Sequence, residues 1–268
     1  MKHRKYLLKN CKSLEGKTVI VTGATGIIGR EIAACCLILG ADVIMAVRNT
    51  VKGEAVKARL AKHFDAKKIK IAELDVSKID SINKFAESVS ADYLINNAGV
   101  LTGDKQYMTN FLGPMYLAVK LEPKLEKIVF QSSLAYRWKK SRPDWADPQC
   151  TKVRGAFKKY GRAKRLLNLT VIAHGSPKFC IVHPGVCSTN IIPTRTLRLL
   201  CRPIFHSSRT AALGAVVALS MDVPQTHLLG PRFFGIWGKP KMRKLQKSLF
   251  DKKQSELARK HLVKEMSD

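Results

Sequence analysis

Tyr160 and Lys164, in the stretch YGRAK, are the residues of this 268-residue chain that most directly suggest chemistry. On a helix, positions i and i+4 share a face. A lysine ammonium beside a phenol favours the phenolate and lowers the pKa of Tyr160. A tyrosine tuned in this way can pass a proton to or from a carbonyl or carbinol oxygen near neutral pH. The same pair on an exposed helix is an ordinary surface contact, so the surrounding sequence decides. In chain order it offers Asn96-Asn97-Ala98-Gly99, then Asn110, then Ser132-Ser133, and after the pair Pro184-Gly185.

A second constellation suits an anion. In VTGATGIIGR, Gly23, Gly26 and Gly29 are spaced three and three, with Thr25 and Ile28 between them. Glycine lets backbone come close to a pyrophosphate, and the N–H groups at a helix N-terminus face it. Here those of Gly26 to Ile28 are expected to do so. Where an acidic residue would bind the 2′-hydroxyl of NAD, the chain has Ala46-Val47-Arg48-Asn49. Arg48, assisted by Arg30, can pair with a 2′-phosphate, which points to NADP(H). The other reading of Arg48 is an exposed strand-end charge. Asp75 can accept from an adenine amino group or cap the helix that follows.

The elements that position these residues follow from periodicity. Strands are expected at 17–22, 42–47, 69–74, 93–95, 127–131 and 179–182. Helices are expected at 26–39, 51–63, 79–89, 111–121, 160–173 and 211–221. Near-continuous apolar strands such as TVIVT, alternating with helices, predict an α/β fold. It is a single Rossmann-type doubly wound parallel sheet with right-handed crossovers, flanked by helices. The segment 137–158 reads as a polar excursion. After Gly238 the sequence reads as a surface helix or a tail.

In this order, NNAG, TNFLG, IVFQSS, YGRAK and HPGVCST resemble the short-chain dehydrogenases/reductases over about 16–221. HPGVCST and VIMAVRN look most like the retinol-dehydrogenase-like branch. The resemblance implies NADP(H) and hydride transfer to or from a small apolar carbonyl or alcohol of the retinoid, steroid or fatty aldehyde class, without a metal. It implies Tyr160 as general acid/base and Lys164 as the residue that binds the nicotinamide ribose and tunes it. Ser133 would polarise the substrate oxygen, and Asn110 would hold a relay water. Asn97, Ala98, Gly99, Pro184 and Gly185 would line the cofactor, and Thr189 would contact its carboxamide. The chain departs from the pattern in three ways. Ile27 stands where the middle glycine is usual, the stretch from Gly99 to Asn110 is short, and the interval from Ser133 to Tyr160 is long and basic. The expected divisions are a basic extension at 1–15, the catalytic domain at 16–238 and a basic helix or tail at 239–268. His183 reads as a strand-end residue rather than a catalytic one.

Composition bounds the rest. Hydrophobic residues make up 46% of the chain, a globular composition, and no apolar run reaches the length of a membrane span. Seven scattered cysteines suggest a reduced, intracellular, cytoplasmic protein without a disulfide framework. A formal net charge of +28 predicts attraction to anionic surfaces, with peripheral contact to the endoplasmic reticulum or another membrane as one form of it. That charge also supports an alternative function: a catalytically weak binding or redox-sensing protein held on membranes or polyanions. The segment 191–205 mixes leucine and arginine like an amphipathic lid or an ordinary helix. Tyr136, Trp138 and Trp145 lie in basic sequence, but no ordered motif supports specific nucleic-acid binding. No oligomeric state is assigned.

Overall fold

The computed structural model describes residues 2–186 and 207–267. The strands are β1 (Thr18–Thr22), β2 (Asp42–Val47), β3 (Ile69–Glu73), β4 (Tyr93–Asn96), β5 (Lys127–Gln131), β6 (Phe179–Val182), β7 (His227–Phe233) and β8 (Trp237–Lys244). The helices among the described residues are α1 (Lys2–Asn10), α2 (Ile27–Ile38), α3 (Thr50–Leu60), α4 (Ile79–Ser88), α5 (Gly113–Leu121), α6 (Ala156–His174), α7 (Ser208–Val217) and α8 (Lys252–Ser267).

All eight strands form one sheet in the order β3-β2-β1-β4-β5-β6-β7-β8. Every pairing from β3 to β7 is parallel, and β8 is antiparallel to β7. The order reverses between β1 and β4, and open α/β sheets bind ligands beyond the strand ends at such a point.

Strand side chains alternate between two cores. Val19, Val21, Val43, Met45, Ile95 and Val129 face the layer built with α2, α3 and α7. Ile20, Ile44, Leu94, Ile128 and Phe130 face the layer built with α4, α5, α6 and α8. Both faces are covered, which is why these strands read as unbroken apolar runs.

Two regions were not anticipated as elements. At the N-terminus, α1 buries Leu7 against the core shared with α2, α3 and α7 and bonds His3 to Thr210 on α7 at 3.1 Å. At the other end, β7 and β8 form a hairpin. Their sequences, HLLGPRF and WGKPKMRK, each carry glycine and proline, and half of the second is charged, so neither reads as a strand. The boundary expected at residue 238 falls inside β8. The chain then turns with Leu249 buried and continues into α8, which lays Ala258 and Leu262 against the core that also holds α6.

Candidate functional site

The glycine turn is closed by contacts that leave no space for a side chain. Gly23 has φ +63°, and a Cβ there would lie 2.9 Å from the Ala98 Cα. At Gly29 a Cβ would lie 2.4 Å from the Gly23 carbonyl oxygen and 2.7 Å from Asn97 Nδ2. The Gly26 N–H is used inside the turn, donating to the Gly23 oxygen at 3.0 Å. Gly26 therefore caps α2 without offering its own N–H outward, and the cap has no side-chain hydrogen bond. The N–H groups of the first turn of α2, those of Ile27 and Ile28 among them, have no intrahelical acceptor, which leaves them available to an anion.

Thr22, which the motif reading did not single out, ties the glycine turn to the NNAG stretch. Its hydroxyl accepts from the N–H of Asn97 and of Ala98, each at 3.0 Å, while Asn97 Nδ2 donates to the Thr22 carbonyl at 2.9 Å. These bonds join the end of β1 to the end of β4. The available signal was a hydroxyl closing an apolar strand just before the first glycine.

Arg48 follows β2 and is exposed, and Asn49 caps α3 by accepting from the Lys52 N–H at 2.8 Å. Arg30, expected to assist it, pairs with Glu31 at 3.5 Å. Asp75 accepts from the Ser77 hydroxyl at 2.6 Å and the Ser77 N–H at 3.0 Å. Burial acts to raise the Asp75 pKa, but these bonds, with Lys105 and Arg48 nearby, hold it below the usual value.

Three of the predicted catalytic positions lie close together. Asn110, fully buried, donates to the Val100 carbonyl at 2.7 Å and accepts from the Val100 N–H at 3.1 Å. It sits in a wide π-helical turn, Met108–Leu112, where a regular helix was expected from residue 111. Pro114 has no N–H to give the Asn110 carbonyl, which accounts for the widening, and such turns are frequent at functional sites. A Cβ on Gly99 would lie 2.9 Å from Asn110 Oδ1 and 3.9 Å from Lys164 Nζ.

Lys164 is 4% exposed, and its Nζ donates to the Gln131 carbonyl at 2.7 Å. Burial pushes its pKa down to about 8. The ammonium stands 5.9 Å from the centre of the Tyr160 ring, as expected for i and i+4. Ser133 opens a 3₁₀ turn over Leu134–Arg137, with its hydroxyl accepting from the Ala135 N–H at 3.3 Å. That turn lies on α6 at Gly161, where a Cβ would be 3.0 Å from the Ala135 oxygen. Next to Lys164, Arg165 donates to the Tyr136 carbonyl at 3.1 Å and to the Ser248 hydroxyl at 2.8 Å. It thus ties the Ser133 turn to the C-terminal segment.

Beyond β6, Pro184 and Gly185 lead the chain out of the sheet, with Gly185 at φ +83°. His183 is buried at the strand end, its Nε2 donating to the Gly235 carbonyl at 2.9 Å. Thr189 and the segment 191–205 lie outside the described residues.

The family described as short chain dehydrogenase matches residues 17–135. Mouse retinol dehydrogenase 12 is 31% identical over 236 residues, covering 74% of this chain and 72% of its own. A crystal structure of an uncharacterised protein from Mycobacterium paratuberculosis superposes with a TM-score of 0.75 at 27% identity, covering 96% of each chain. A short chain dehydrogenase from Shigella flexneri, solved with NADP, shares the fold with a TM-score of 0.63 at 18% identity over 79% of this chain and 94% of its own. With the fold, the glycine turn and the Tyr160–Lys164 helix in place, this chain belongs to the short-chain dehydrogenase/reductase family of oxidoreductases.

Proposed function

We propose that this protein is an NADP(H)-dependent oxidoreductase acting on an apolar carbonyl or alcohol of the retinoid, steroid or fatty aldehyde class. The observation that carries the reading is the placement of Lys164. It is buried, anchored on Gln131 and 5.9 Å from the centre of the Tyr160 ring, within reach of Gly99 and Asn110.

The residues present fit the cofactor. Gly23 and Gly29 form a cradle that a Cβ would fill, and the uncapped N-terminus of α2 suits a pyrophosphate. Arg48 stands at the end of β2, where its guanidinium suits a 2′-phosphate. The relative solved with NADP supports this choice. Asp75, Asn97, Ala98, Gly99, Pro184 and Gly185 would line the remainder, and Thr189 is carried as a proposed contact. NADP(H), when bound, supplies or accepts the hydride.

The other steps belong to the chain's own groups. The Tyr160 hydroxyl donates its proton to the carbonyl oxygen in reduction and takes it from the carbinol in oxidation. With a pKa of about 8, Lys164 is mostly protonated at neutral pH, and its charge favours the Tyr160 phenolate. Ser133 Oγ orients the substrate oxygen, and Asn110 holds the proton path behind Lys164.

Titration with NADPH and NADH, followed by assay of a panel of lipid aldehydes, tests the reading. NADPH binds in preference, and Tyr160→Phe keeps that binding while losing about 10²- to 10⁴-fold in kcat/KM. Absence of NADPH binding would sink the cofactor assignment, and full activity of Tyr160→Phe would sink the mechanism. A second reading rests on the +28 charge: a weakly catalytic binding or redox-sensing protein held peripherally on an anionic membrane or another polyanion. Among the described residues no helix is long and apolar enough to cross a bilayer.

A further inference from the structure

The tip of the β7–β8 hairpin carries an exposed aromatic cluster. Phe234 is 76% exposed, Phe233 49% and Trp237 42%, in a protein whose other aromatic rings are mostly covered. Phe233 stands opposite Trp237 across the hairpin, and the Phe234 and Trp237 rings meet edge to face at 6.5 Å. Phe234 has φ +50°, a region that bulky residues rarely adopt.

The charge along the hairpin segment is of one sign. Between Val223 and Phe250 there are six lysines and arginines and no acidic residue. Arg232 lies over the Phe233 ring at 5.7 Å, and Lys239 and Lys241 are exposed along β8. Helix α1 extends this field. Lys239 Nζ sits 4.8 Å over the Tyr6 ring, and Arg4, Lys5 and Lys9 are exposed with Leu8. A compact group of Phe and Trp ringed by cations matches the boundary between acyl chains and anionic headgroups.

The tip also borders the candidate site. The Ile236 carbonyl accepts from the Val186 N–H at 3.0 Å, and His183 donates to Gly235. A Cβ on Gly235 would lie 3.4 Å from the side chain of Leu134, the neighbour of Ser133.

We propose that the β7–β8 tip is a membrane-docking element: Phe233, Phe234 and Trp237 insert at the surface of an anionic phospholipid bilayer, while Arg232, Lys239, Lys241 and α1 bind its headgroups. Docking there sets the Ser133–Tyr160 side of the molecule against the bilayer, so that an apolar substrate enters from lipid. The inference takes its partner from the membrane contact of the second reading and its apolar substrate from the first, and it assigns that contact to one element rather than to the overall charge.

The test is co-sedimentation of the full chain with vesicles of phosphatidylcholine alone and mixed with phosphatidylserine, at low salt and at about 1 M, where the screening length is about 3 Å. It compares the unaltered protein with a Phe233→Ser/Phe234→Ser/Trp237→Ser variant. Circular dichroism and NADPH titration check that the variant is folded. Binding to the mixed vesicles that persists at high salt, and that weakens about tenfold or more in the variant, is the expected result. In a Trp138→Phe/Trp145→Phe background, Trp237 emission shifts to the blue on those vesicles. Equal binding by the variant, or an unmoved Trp237 emission, overturns the proposal. Binding at low salt that high salt abolishes leaves a general basic-surface contact and removes the insertion. No binding at low salt removes both.

Discussion

The cofactor cradle and the wall beside α6 hold their residues in opposite ways. The cradle is a steric device. Thr22, Gly23, Gly29, Asn97 and Ala98 are fixed by backbone groups at contact distance, and the hydrogen bonds among them are neutral. The wall is an electrostatic device. Lys164 and Arg165 are successive cations, 4% and 5% exposed, and the partners found for them are neutral oxygens of Gln131, Tyr136, Gln246 and Ser248. Burying cations without a carboxylate costs stability, whereas a well-closed glycine turn does not. The contrast shows where this fold gives up stability: at the two buried cations of α6, and not at the glycine turn.

The largest effect that sharpens the contrast is expected at Gly29. In Gly29→Ala the new methyl meets the Gly23 oxygen and Asn97, so stability falls by about 3 kcal/mol in thermal or urea unfolding and NADPH binding is lost with it. An intact affinity would show the cradle to be softer than its contacts imply.

Lys164→Met should act in the reverse direction on stability. It removes a buried charge, and the melting temperature rises by about 2–4 °C while activity is lost. The sign in the unaltered protein follows from linkage. The folded pKa of about 8 is below the ordinary lysine value of 10.5, so the unfolded chain holds the proton more tightly between them. Stability contributed by this group therefore rises as pH increases through that window, and the rise is absent in Lys164→Met. A variant that melts lower would place Lys164 with the structural cations.

The smallest effect is expected at Gly214 on α7, where a Cβ would lie 3.8 Å from the Leu229 oxygen and clash with nothing. Gly214→Ala should stabilise the protein by about 0.5–1 kcal/mol in the same unfolding assay, leaving cofactor binding unchanged. Destabilisation there would mean that steric closure extends well beyond the cradle.

The two regions also differed in how far the amino-acid order revealed them. Glycine spacing, strand periodicity and the NNAG and YGRAK stretches are local, and the elements that carry them fall within a few residues of expectation. What the local pattern could not reveal depends on partners far along the chain. The run KKYGRAKR reads as a solvated face, yet α6 packs between the Ser133 turn and α8, and Gly161 and Ala163 let that packing close over Lys164 and Arg165. The turn around Asn110 depends on a proline four residues later. The hairpin of β7 and β8 escaped because its alternation is of charge rather than of apolar residues, and because glycine and proline interrupt both strands. Arg48 was legible as a cation at a strand end, and its ligand role remains a proposal.

The proline in β8 also bears on assembly. Pro231 and Pro240 face each other in the β7–β8 register. Neither has an N–H, so the two cannot exchange ladder hydrogen bonds, and in an antiparallel pair of that kind each backbone nitrogen points away from its partner. The nitrogen of Pro240 therefore lies on the open margin of the sheet, which lacks a donor there and is lined by Lys239, Lys241 and Lys244. A ninth strand from another chain would meet a missing hydrogen bond and like charges, the features that deter sheet-to-sheet aggregation. A protein gathered at high local density on a surface would thus be protected from sticking to its own copies along this edge.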